Sequence, residues 1–130
     1  MAVDELRKSP MMSHLLDALE SGQDIGQYGR LTFAMVARHF MDKEEIVELL
    51  QRGGVDESQA KALVQQVEER DYSPPRRERI LEWQAKQDFP ICPDADDPNA
   101  CNVYQELELP EHVFAQIQEF REQQFDAEES

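Results

Sequence analysis

Apolar residues along this chain recur at helical spacing, and nowhere do they alternate in the two-residue rhythm of a strand. Met12, Leu15, Leu16 and Leu19 follow Ser9 and Pro10, an N-cap with proline at the first helical position. A helix is therefore predicted from there to Ser21 and Gly22. A second is predicted over residues 25–41, where Tyr28, Leu31, Met35, Val36 and Phe40 form an apolar stripe that Phe33, Ala34 and Ala37 widen. That breadth marks the central, most buried helix, with Leu31 and Phe40 among its core-facing residues.

Asp42 followed by Glu45 reads as a capping box in acidic form, opening a third helix that carries Ile46, Val47, Leu49 and Leu50 to a stop at Gly53 and Gly54. Asp56 and Gln59 repeat the device for a fourth, with Ala60, Leu63, Val64 and Val67 on one face. It must end before Pro74 and Pro75, whose rings remove amide donors and clash with the preceding turn. A fifth helix is predicted over residues 76–87 with Ile80, Leu81 and Trp83, and a sixth over 110–124 with Val113, Phe114, Ile117 and Phe120. The expected fold is all-α: one compact domain of about six helices over residues 1–125, with a long irregular loop near 88–109 and a frayed acidic tail at 126–130.

A length of 130 residues suits one core. No run reaches the roughly 18 apolar residues of a membrane span, and Met1 to Lys8 lack the basic-then-apolar order of a secretion signal. The expectation is a cytoplasmic protein without membrane contact, whose Cys92 and Cys101 stay reduced.

Charge narrows the partners. With 28 acidic residues against 13 basic ones the net charge is −15, a field that repels nucleic-acid backbones and anionic membranes at long range. Nine arginines stand against four lysines, so a salty cytoplasm is one setting for such acidity. Against that background Arg76, Arg77 and Arg79 cluster at the Pro-Pro corner, and with Arg30 and Arg38 they form a candidate positive island for a phosphate or an acidic partner, since guanidinium groups bind such anions bidentately. The plainer reading pairs them with Asp71, Glu78 and Glu82 on the surface.

Catalytic patterns are missing. There is no glycine-rich phosphate loop, no paired-histidine zinc motif and no nucleophile elbow, and His14, His39 and His112 sit on three different predicted helices. Asp94, Asp96 and Asp97 alternate like calcium ligands without the glycine and closing glutamate of a calcium loop. An enzyme is not expected, and neither is a cofactor. Cys92 and Cys101 are candidate soft metal ligands, yet a closed site needs more thiolate or imidazole donors than one pair of cysteines supplies. The plainer reading is two reduced thiols in a packed loop.

The order of these segments resembles the C-terminal iron–sulfur domain of the large subunit of archaeal and eukaryotic DNA primase. Ser9-Pro10-Met11-Met12 stands where that family has a Phe-Pro-x-Cys start, and Tyr28-Gly29-Arg30 where an aromatic-small-Arg segment opens the central helix. Glu44-Glu45-Ile46 matches an acidic-acidic-aliphatic pattern, Tyr72-Ser73-Pro74-Pro75-Arg76-Arg77 a Tyr-x-Pro corner, and Cys92 and Cys101 the last two of four cluster ligands. The first ligand falls on Met12 and the second on Arg77, so the resemblance implies a degenerate form that assembles no cluster. Gln65, Gln66, Glu68 and Glu69 replace the basic residues that the family places before the corner. What carries over is Arg30 as a nucleic-acid-facing position, with Tyr72 at the corner.

Three functions follow as expectations. The first is a non-catalytic module like the primase domain, binding a protein partner or, weakly, a nucleic-acid end through Arg30, Arg38, Tyr72, Arg76, Arg77 and Arg79. The second is an acidic interaction or regulatory subunit with no nucleic-acid role. The third is a two-cysteine metal or redox site at Cys92 and Cys101.

Overall fold

The computed structural model describes residues 2–70, 74, 75, 77–93, 96, 101 and 107. Among these the chain is all-α: α1 (Ala2–Leu6), α2 (Pro10–Glu20), α3 (Gly26–Ala37), α4 (Lys43–Arg52), α5 (Glu57–Arg70) and α6 (Arg77–Gln84), with no strand. Helix α1 was not foreseen, because five residues are too few to show a period. The helix expected over 110–124 and the tail at 126–130 lie outside the described residues.

The caps foreseen for α2 are present. Ser9 is extended and its Oγ accepts from Met12 N at 3.3 Å, with Pro10 opening the helix. At the other end Gly22 takes φ 80°; its amide donates to Leu19 O while Gln23 N reaches back to Ala18 O, the paired bonds of a Schellman stop. Asp56 also caps as expected, accepting from Gln59 N at 2.8 Å. Asp42 has the extended backbone of an N-cap before α4, but its side chain makes no cap hydrogen bond. Helix α3 stops at Ala37, short of the expected residue 41, where His39 N and Phe40 N donate to the i−3 carbonyls Val36 O and Ala37 O in place of i−4 ones.

Helix α3 is central: it packs against α2, α4, α5 and α6. Thr32 through Ala37 are all buried, so this stretch of the helix is covered on every side. The expected stripe needs adjustment, since Leu31 and Phe40 are only half-buried while Phe33 and Val36 are fully enclosed. The surplus of apolar residues on α3 left the sequence pattern without one preferred face. Apolar residues from all six helices join one buried cluster, which Phe89, Ile91, Cys92, Cys101 and Leu107 complete. Gly53, the C-cap of α4, lies close against α2: a Cβ there would be 2.5 Å from Leu19 Cδ2.

No helix among the described residues is long and apolar enough to cross a membrane.

Candidate functional site

The arginines proposed as an anion island are placed in different settings. Tyr28, in the first turn of α3, stacks on Trp83 of α6 with ring centroids 5.6 Å apart. Arg30 stands two residues further, about 200° round the same helix, so it is turned away from the face that meets α6. Its Nη1 donates instead to Asp24 Oδ1 at 2.8 Å, and its side chain is 23% exposed. Asp24 is held in that position by a second hydrogen bond, accepting from Gly26 N. Arg79 is exposed and faces Glu82 at 3.5 Å. Arg38, at the C-cap of α3, and Arg77, the first residue of α6, are half-buried, and each already has an interaction partner. Tyr72 and Arg76 lie outside the described residues, while Pro74 and Pro75 of the corner are buried.

Carboxylates show the opposite pattern. Every described aspartate is exposed, and so is every described glutamate except the half-buried Glu5. Helices α4 and α5, joined by a short turn and packed on each other, concentrate them: Glu44, Glu45 and Glu48 on the first, Glu57, Glu68 and Glu69 on the second. Between the two helices runs an open groove of about 560 Å³, lined among others by Lys43, Glu44, Val47, Glu48, Glu57 and Lys61. Glu57 pairs with Lys61 at 2.6 Å and Glu48 with Arg52 at 3.0 Å, whereas no ion pair is seen at Glu44, Glu45, Glu68 or Glu69 among the described residues. Exposed pairs of this kind contribute only about 0–1 kcal/mol and can exchange partners readily.

Arg7 crosses to α2, donating to Ser13 Oγ at 3.1 Å and Asp17 Oδ1 at 2.9 Å, with Glu20 at 3.3 Å. The hydrogen bond to Asp17, opposed by desolvation and helped by the charges of Asp17 and Glu20, holds its guanidinium above the ordinary value. The basic residue that opens the chain is thus also spent internally.

The two cysteines require a correction. Cys92 and Cys101 are not reduced thiols but a disulfide, with Cα atoms 5.7 Å apart, inside the usual span for such a bond. The spacing of nine residues could not reveal this, since closure depends on how the loop folds back. A disulfide offers no thiolate, which removes Cys92 and Cys101 as metal ligands, and among the described residues no group of three or more His, Cys, Asp or Glu could hold a metal ion. His14 has a packing role: it stacks on Phe89 at 5.0 Å, and its Nε2 lies 2.9 Å from Pro90 O.

Compared with family models, with curated proteins and with solved structures, the chain matches none.

Proposed function

We propose that this chain is a non-catalytic helical interaction domain, acting as an acidic docking or regulatory subunit for a basic protein segment. The observation that carries this reading is the opposite disposition of the two charge types. Carboxylates stand in solvent on α4 and α5, while the described island arginines, Arg30, Arg38, Arg77 and Arg79, are half-buried or paired with carboxylates of their own chain. A basic segment laid along the α4–α5 groove would meet Glu44, Glu48 and Glu57 without displacing a buried group, with Glu45 exposed on the same helix and Val47 to receive an aliphatic stem. The reading includes no cofactor, no membrane partner and a cytoplasmic setting.

A second reading is a primase-large-subunit-like module that binds a protein partner or a nucleic-acid end. The packing of α3 on α6, the helix that follows the Pro-Pro corner, supports it, because the resemblance implies that the start of the central helix approaches that corner. The orientation of Arg30 weighs against a shared anion site with α6.

One titration separates the two. A fluorescent Lys/Arg-rich peptide, and short single-stranded, junction-containing and 5′-triphosphorylated oligonucleotides, are added at about 50 and 200 mM salt, a range over which multi-charge contacts weaken sharply. Peptide binding that Glu44→Gln, Glu45→Gln and Glu48→Gln together abolish, and that Asp17→Gln with Glu20→Gln leave intact, is the expected result. Oligonucleotide binding lost on Arg30→Ala with Arg77→Ala would establish the second reading in its place.

A further inference from the structure

Cys92 and Cys101 are the only cysteines of the chain, and the acidic docking surface makes no use of them. Their bond lies inside the protein, with Cys92 3% and Cys101 1% exposed. Cys101 adopts φ 67°, a left-handed conformation disfavoured for any residue with a Cβ and kept only where surroundings enforce it.

Leading into the bond is a strap, residues 87–93, held mainly by polar and aromatic ties. Gln84 Oε1 accepts from Cys92 N at 2.8 Å. Gln87 accepts from Tyr28 N at 3.0 Å and donates to Ile25 O at 2.8 Å and Phe89 O at 3.0 Å, filling the space beside Gly26 where no Cβ would fit. His14 stacks on Phe89 and meets Pro90 O. Through these ties Phe89 and Ile91 are seated in the core, at 8% and 0% exposure.

We propose that the Cys92–Cys101 disulfide is a redox latch on this strap, opened by a dithiol reductant. Closed, it keeps Phe89 and Ile91 in the core. Reduced, it leaves the strap on its hydrogen bonds, which water can replace, on the His14–Phe89 stack and on the burial of Phe89 and Ile91, and the strap opens more readily to expose an apolar surface. A thiolate of the dithiol attacks one protein sulfur along the S–S axis, forms a mixed disulfide and expels the other cysteine as a thiolate. The second thiol of the reductant then attacks its own sulfur in the mixed disulfide, which frees the remaining cysteine and leaves the reductant as an intramolecular disulfide. Two electrons pass to the cysteines, and the two protons of the dithiol end on their sulfurs. Because both sulfurs are buried, attack has to wait for the strap to open, so reduction reports the opening equilibrium. The latch stands independently of the basic-partner reading.

The test uses the full chain, purified in air and then treated with dithiothreitol. Before treatment no thiol should titrate, in native buffer or in urea. Reduction in native buffer should be at least about tenfold slower than in urea, as expected when attack requires local opening. After reduction, the Cys92 amide should exchange at least about tenfold faster, and Tm should fall by roughly 10 °C, as expected for losing a short cross-linked loop in a domain of this size. Cys92→Ser with Cys101→Ser should behave like the reduced chain and ignore dithiothreitol. If that variant does not fold, the treated native chain decides alone. Two thiols titrating in urea before any reduction, equal reduction rates in both solvents, or unchanged strap exchange after reduction would each overturn the latch.

Discussion

The body of α2 to α5 and the strap after α6 are both buried against one core, but different forces hold them there. In the body, apolar stripes at helical spacing meet across α3, and each helix contributes several fully enclosed side chains such as Leu15, Phe33, Leu50 and Val64. In the strap, side-chain amides, one imidazole and one disulfide join residues that are far apart in sequence: Gln87 to Ile25 and Tyr28, His14 to Pro90. Hydrophobic burial is non-directional and tolerates small shifts, whereas each polar tie depends on a single geometry. The body is therefore robust, and the strap is the region that a single bond can release.

The strongest way to break this contrast is through its core. Phe33 is fully buried at the middle of the central helix, and Phe33→Ala should cost about 3–5 kcal/mol, the range for deleting a large buried aromatic ring. Urea unfolding would measure it, and a cost below about 1 kcal/mol would mean that α3 is not the centre of the packing.

A smaller and more local effect is expected at the clamp. Gln87→Ala leaves Tyr28 N, Ile25 O and Phe89 O without their partner, a loss of about 1–3 kcal/mol for half-buried groups. Hydrogen exchange should then rise in residues 87–93 ahead of the amides of α2 and α3. Uniform loosening of the whole chain would erase the distinction between strap and body.

The smallest change sharpens the view of the body itself. Thr32 is fully buried, and its Oγ1 has no hydrogen-bond partner among the described residues. Thr32→Val keeps the shape and removes the stranded hydroxyl, so it should be neutral or stabilising by up to about 1 kcal/mol. A lower urea midpoint for this variant would show that the hydroxyl has a partner that its surroundings conceal.

What could be read in advance follows the same division. Spacing and capping residues announced α2 to α6, because a helix is stabilised by neighbours three and four positions away and by caps within one turn, all of which are local in the chain. Ser9, Asp56 and the Gly22 stop were legible for that reason, and the breadth of apolar positions on α3 rightly marked it as central. The width of that stripe also hid which residue lay deepest, and Leu31 and Phe40 took the place that Phe33 holds. At the candidate site, the exposure of the acids follows from their chemistry, since an unpaired buried carboxylate is too costly to keep. The direction of Arg30 does not follow, because it depended on which face of α3 would meet Trp83.

Composition and periodicity by themselves determined an acidic, all-α chain with α2 to α6 in place, though α3 and α6 end earlier than the spacing suggests. Only the tertiary structure decided that Arg30 turns to Asp24, that Gln87 clamps the start of α3, and that Cys92 meets Cys101. Each of these is a contact between residues with no periodic relation, settled by how packed helices bring distant loops to one point. Local propensity carries no record of that event.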